Sequence, residues 1–191
     1  MSNGNWVQTF TSKAVHPFDI KIDEIDIEDI AQSLALCCRF NGHCRGFYSI
    51  ANHSMRVAEL LPNPLKIWGL LHDAAETYLS DIPRPTKQHL YHHVGECIHI
   101  SDVENKILEA IAKKFNLVWP VPSEVKEADN IMLATEKRDL MGKPPQSWGK
   151  LPKPLDKKII LWENWHKDKV LFLECFEKYM ERREIPDYER R

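Results

Sequence analysis

The chain has 191 residues, 43% of them apolar and 28% charged, which is enough for one well-buried core and short for two, so a single domain over 1–191 is expected. Lys and Arg number 26 against 28 Asp and Glu, a formal net charge of -2, which excludes a whole-molecule field recruiting nucleic acid or an anionic membrane; a polyanionic ligand must meet a local basic cluster. No apolar run approaches the roughly 20 residues of a bilayer span, and Met1 to Trp6 has neither a basic n-region nor an apolar h-region, so a cytoplasmic protein without membrane partners is expected.

Strand-like alternation is nearly confined to Trp6 to Thr11, whereas apolar spacing of three and four recurs through the rest and predicts an all-α helical bundle. Ile27, Ile30, Ala31, Leu34 and Ala35 line one face of a first helix, expected to end near Asn41-Gly42, where positive φ is cheap. Ser49 reads as the N-cap of a second helix that runs to Leu61 and carries His53. Asn63-Pro64 reads as an N-cap followed by proline at the first helical position, launching a third helix to about Tyr78, which Pro83 and Pro85 then stop. The histidine-rich patch of His89, His92, His93 and His99 lacks a carboxylate triad and is expected to be solvated surface. A fourth helix is expected over about Asp102 to Phe115, and a fifth after Pro122-Ser123 that carries Val125, Ala128, Asp129, Met132 and Leu140. These elements place the core at about 26–141; Lys143 to Pro154, with its prolines and Trp148, is a loop by composition. A last helix covers about Glu163 to Arg183, before a charged tail expected to fray. Cys37, Cys38, Cys44, Cys97 and Cys175 contain no C-x-x-C pair and read as reduced packing residues, not a thiolate zinc site.

The segment Leu70-Leu71-His72-Asp73-Ala74-Ala75-Glu76 sets three ligand-type side chains inside an apolar helix. Glu76 lies three residues after Asp73 and four after His72, so it shares a face with both, while His72 and Asp73 are about 100° apart around the axis. A buried carboxylate is costly without a cation, so Asp73 calls for an ion or an arginine. By itself the pair reads as a hydrogen-bonded core histidine beside an arginine-paired aspartate; His53 upstream and Asp129 downstream turn the reading toward metal ligation.

That order, a histidine, then His72-Asp73, then a distant aspartate on a later helix, resembles the HD phosphohydrolase superfamily. The run His72-Asp73-Ala74-Ala75-Glu76 with Ser80-Asp81-Ile82-Pro83-Arg84-Pro85-Thr86-Lys87 is similar to the H-D-x-x-E-x4-D-I/L-P-x-P-x-K signature of bacterial 5′-deoxynucleotidases, and Val125-Lys126-Glu127-Ala128-Asp129 resembles their V-K-x-A-D. Trp6-Val7-Gln8-Thr9-Phe10, Cys38-Arg39-Phe40-Asn41-Gly42-His43 and Phe47-Tyr48-Ser49-Ile50-Ala51-Asn52-His53-Ser54 look closest to a phage-associated branch that includes dATP triphosphohydrolases.

The resemblance implies an HD-domain bundle in which His53, His72, Asp73 and Asp129 hold one divalent ion. Two imidazoles and two carboxylates suit Mn, Co, Zn or Fe, and Mg more weakly. It implies Glu76 as general acid/base and Asp81 as the aspartate that orients water or a proton donor, with loop capping the alternative for Asp81. Arg39 would touch phosphate and Phe40 would pack on the sugar, although Phe40 reads equally as a core aromatic; Lys87 and Lys126 match motif positions that could meet phosphate, or are simply solvated. Phe40 stands where the deoxynucleotidases carry tryptophan, which leaves sugar choice open. The implied reaction is water attack at the α-phosphorus of a nucleotide, with dATP or another dNTP giving deoxynucleoside and polyphosphate. The alternatives are 5′-deoxynucleotidase action on dNMPs and a non-catalytic nucleotide-binding regulatory module. Homo-oligomerisation is likewise implied.

Overall fold

Asp26 opens the helical part of the chain: its side chain accepts the Glu28 N–H at 3.0 Å and caps helix α1 (Ile27–Leu36), whose Ile30, Ala31, Leu34 and Ala35 are buried. The computed structural model describes residues 5–94 and 96–182. After α1 come α2 (Ile50–Glu59), α3 (Asn63–Leu71), the short α4 (Glu76–Leu79) and α5 (Arg84–Lys87), then α6 (Ile100–Phe115), α7 (Ser123–Leu140) and α8 (Trp165–Arg182). The packing centres on α2, which lies against α1, α3, α7 and α8; α8 in turn covers α1 and α3. Ile30, Leu34, Ile50, Val57, Leu70, Ile107, Ile111 and Phe172 fill the core without solvent exposure. None of the described helices is long and apolar enough to cross a membrane.

The protein is mostly helical, but the all-α expectation is corrected by two small antiparallel sheets. Strand β1 (Val7–Gln8), inside the segment where alternation was expected, pairs with β2 (Ala14–Val15), which lies just beyond it. Strands β3 (Tyr91–Val94) and β4 (Glu96–His99) pair with Tyr91 opposite His99 and His92 opposite Ile98. The second hairpin was hidden because Tyr91-His92-His93-Val94 and Glu96-Cys97-Ile98-His99 carry no alternation of apolar and polar residues. His92 stacks on Phe18 at 4.1 Å, so the histidine patch is only partly the solvated surface expected.

Helix ends also move. Cys37 is extended and Cys38 bridges to Ser49, so α1 stops at Leu36, well short of the left-handed stretch Phe40 (φ 56°), Asn41 (φ 51°) and Gly42 (φ 77°). The third helix expected to reach Tyr78 is broken after Leu71 by a run of turns over 72–75. Its N-cap is Pro62, with Asn63 and Pro64 inside the first turn. Gly69 is required where α3 crosses α2: a Cβ there would lie 2.7 Å from the Ala58 Cα. Residues 143–154 form no regular element, as expected, and the tail from Arg183 onward lies outside the described residues.

Ser49 does cap α2, accepting the Asn52 N–H at 2.9 Å. Its hydroxyl also donates to Asp168 Oδ2 at 2.6 Å, while Asn52 Nδ2 and Trp162 Nε1 donate to Asp168 Oδ1 at 3.0 and 2.7 Å. One buried carboxylate therefore ties α8 to the start of the helix that carries His53. Asp168→Ala strands three donors and is expected to cost about 3 kcal/mol, or a fall of roughly 6–10 °C in Tm by scanning calorimetry; an unchanged Tm would show that the cluster is energetically idle.

Candidate metal centre

His53 is buried on α2, and its Nδ1 lies 2.6 Å from Oε1 of Glu136, two helical turns beyond Asp129 on α7. A carboxylate accepts only, so Nδ1 carries the proton and donates it, and Nε2 faces away. His72 closes α3 in the same sense: its Nδ1 is 2.8 Å from the Gly69 carbonyl oxygen, which fixes the proton there. The two Nε2 atoms then meet 3.3 Å apart. Two lone pairs aimed at one point is a poor arrangement without a cation or a proton between them.

Two carboxylates complete the approach. Asp129 Oδ1 lies 3.3 Å from His53 Nε2 and 4.0 Å from His72 Nε2. Asp73 Oδ2 lies 3.3 Å from His72 Nε2 and 3.6 Å from His53 Nε2. Ligand atoms about 2.1 Å from a divalent ion stand about 3.0–3.5 Å apart along the edge of an octahedron or tetrahedron. Most of these separations match that edge. His53, His72 and Asp129 offer ligand atoms all within 4.8 Å of one another and could hold a metal ion; Asp73 is not one of these three, although its Oδ2 faces the two imidazole nitrogens from the 72–75 turn.

Charge in the site is tightly balanced. Burial and the Arg39 charge work against protonating His53, but Glu136 and the hydrogen bond to Asp129 prevail and push it up to about 9. Burial opposes the Asp129 carboxylate, yet the two histidines and Arg39 hold it far below the usual range. Glu136 is likewise lowered to about 2, Arg39 and His53 outweighing its complete burial. A divalent ion would take the place of the proton on His53 and satisfy the same two carboxylates.

Arg39 is expected at phosphate, but the structure commits much of its guanidinium inward. Nη1 bonds Asp73 Oδ2 at 3.1 Å and Nε pairs with Glu136 Oε2 at 3.3 Å, because two buried carboxylates need a countercharge. Phe40, half-buried, lies 6.1 Å from the Trp148 ring and 5.4 Å from the Arg39 guanidinium carbon. Its backbone N–H donates to Asp81 Oδ2 at 3.1 Å, so Asp81 braces the distant 39–42 turn across 41 positions. Burial raises the Asp81 carboxyl, against the pull of Arg39.

Glu76, in the first turn of α4, is buried, and its Oε2 has no hydrogen-bond partner. Burial, then the charges of Asp73 and Asp81, hold its carboxyl well above the usual carboxylate range. Lys87 is tied to Glu104 of α6 at 2.5 Å, while Lys126 is exposed one turn before Asp129. Arg84, more than half exposed, places Nη2 2.6 Å from Asp129 Oδ2 and Nη1 3.2 Å from Asn130 Oδ1.

Glu136 was not singled out from the sequence, although it sits seven residues after Asp129 on one helix face, among buried neighbours. Glu136→Gln keeps the shape but weakens the acceptor for His53 and the countercharge for Arg39. Titration calorimetry with Mn²⁺ is expected to show affinity reduced by about 10–100-fold, the usual loss for such a support; unchanged affinity would make Glu136 a packing residue.

No family model matches the chain. It is 40% identical over 136 residues to Uncharacterized protein YfdR of Escherichia coli (strain K12), covering 71% of this chain and 72% of that protein. It is 31% identical over 150 residues to Uncharacterized protein RCAP_rcc00048 of Rhodobacter capsulatus, covering 72% and 74% of the two chains. With identity of this level over most of each sequence, the chain belongs to the protein family of YfdR and RCAP_rcc00048.

Proposed function

We propose that the protein is a metal-dependent nucleotide phosphohydrolase of the HD type that directs water to the α-phosphorus of dATP or another dNTP, releasing deoxynucleoside and polyphosphate. The observation that carries the reading is the convergence of the His53 and His72 Nε2 atoms with Asp129 and Asp73, beside the buried Glu76 carboxyl.

His53, His72, Asp73 and Asp129 would hold one divalent ion, of the Mn, Co, Zn, Fe or Mg class. When bound, such an ion lowers the pKa of a coordinated water and polarises a phosphoryl oxygen. Glu76, biased toward its protonated form, is suited to give a proton to the departing 5′ oxygen of the nucleoside. Asp81 adds negative charge that helps keep that proton on Glu76, and holds the Phe40 turn through its backbone amide. Arg39 keeps Asp73 and Glu136 together against their repulsion, a positioning role. Arg84 puts a cation at the outer side of Asp129, where phosphate oxygens would be met, and the exposed Lys126 stands one turn earlier on the same helix. Phe40 beside Trp148 offers an aromatic wall for the sugar. The resemblance to HD proteins also supports a single HD domain and homo-oligomerisation.

A second reading, a 5′-deoxynucleotidase acting on dNMPs, is favoured by one feature: Lys87 and Arg39 are already paired with carboxylates, which thins the cations free for β- and γ-phosphates. Incubation with dNTPs, dNMPs and the matching ribonucleotides plus Mg²⁺, Mn²⁺ or Co²⁺, resolved by ion-exchange chromatography, separates the two. Nucleoside with intact triphosphate from dATP supports the first. Phosphate from monophosphates alone supports the second, and nucleotide recovered intact with every metal would leave a binding module.

A further inference from the structure

Cys38 and Cys44 flank the left-handed turn that carries Arg39 and Phe40, and the turn folds their sulfurs to 3.5 Å from one another. No other pair of thiols among the described residues makes such a contact, and all five cysteines are free. Both members are half-buried, open enough for a small solute and packed enough to hold their positions. A disulfide needs the sulfurs to close to about 2.05 Å, a movement of side-chain size. The cost is the weak bond from Cys44 Sγ to the Gly46 carbonyl at 3.1 Å.

We propose that Cys38 and Cys44 are a peroxide-sensitive dithiol that closes into a reversible disulfide across the turn holding Arg39. The Cys38 thiolate attacks one oxygen of hydrogen peroxide; the O–O bond breaks, giving Cys38 sulfenic acid and hydroxide. Sulfur of Cys44 then attacks the sulfenic sulfur, the S–O bond breaks, and the hydroxyl leaves as water with the Cys44 proton. Two electrons pass from the two sulfurs to the peroxide. Burial and the neighbouring Cys38 push the Cys44 thiol up to about 11, which keeps its proton on until the second step releases it with the departing hydroxyl.

The modification reaches the metal centre through a short covalent path. Cys38 adjoins Arg39, whose guanidinium braces Asp73 at 3.1 Å and Glu136 at 3.3 Å. Drawing Cys38 toward Cys44 shifts that brace, so the oxidised protein binds the ion more weakly. This link needs the metal centre and not the nucleotide reading, and the covalent readout needs neither.

The full-length protein, reduced and then treated with hydrogen peroxide, would be alkylated, digested and examined by mass spectrometry. The expected result is a crosslinked peptide joining Cys38 to Cys44, loss of two of the five free thiols, reversal by dithiothreitol, and no crosslink in Cys44→Ser. Sulfinic acid at Cys38 without a crosslink, or a crosslink to Cys37 or Cys97 instead, would overturn the proposal. Mn²⁺ titration of the oxidised and reduced forms is expected to differ by about fivefold or more, and Cys44→Ser is expected not to respond to peroxide. Equal affinities, or no Mn²⁺ binding in either form, would overturn the link to the metal centre.

Discussion

Asp73→Ala is expected to abolish turnover and to leave the purified protein without its ion. Asp73 Oδ2 stands 3.3 and 3.6 Å from the two imidazole nitrogens, so its loss removes a full negative charge from the point where the ion would sit. The loss is compounded by Arg39. Nη1 pairs with Asp73 Oδ2 at 3.1 Å, and without that carboxylate the buried guanidinium faces the site with Glu136 as its remaining close partner. A partly unpaired buried cation beside a cation site repels what the site should attract. Metal content by plasma mass spectrometry and turnover of dATP check this together. An active, metal-replete variant would remove the central claim.

Glu76→Ala should separate chemistry from binding. The carboxyl is buried, one oxygen is unpartnered, and no short contact ties it to the imidazoles, so metal and nucleotide should stay bound. Turnover is expected to fall by roughly 10²-fold or more, the usual loss of a general acid or base. Its pH profile carries a sign. Burial and the charges of Asp73 and Asp81 raise the Glu76 pKa, so an acid role is fully present below that raised value and fades as pH rises through it. Glu76→Gln should lose this alkaline limb along with the rate. Wild-type rates in either variant would leave Glu76 without its role.

Several elements were legible because their signals are local. The apolar spacing of α6 and α7, the buried face of α1 and the Ser49 cap of α2 are short-range properties of the chain, and the structure has them where they were expected, although α1 ends early, at Leu36. His53, His72, Asp73 and Asp129 were picked out by motif order and residue type; the structure gathers His53, His72 and Asp129, with Asp73 Oδ2 3.3 and 3.6 Å from the two imidazole nitrogens. The β3–β4 hairpin failed for a local reason as well: its two strands, Tyr91–Val94 and Glu96–His99, carry no apolar alternation that would signal them.

A helical chain with a likeness to HD proteins, and a short set of candidate ligands, therefore follow from the order of residues alone, since periodicity, caps and motifs act over a few positions. Whatever depends on which helix face meets which was left to packing. The contact of α2 with α7 brings Glu136 to His53 across 83 positions and turns Nε2 inward. The break after Leu71 lets His72 and Asp73 reach one point, and the turn over residues 39–42 spends Arg39 on buried carboxylates while it sets Cys38 against Cys44. Such contacts are chosen by the burial of the whole core, a sum over distant residues that no local pattern encodes.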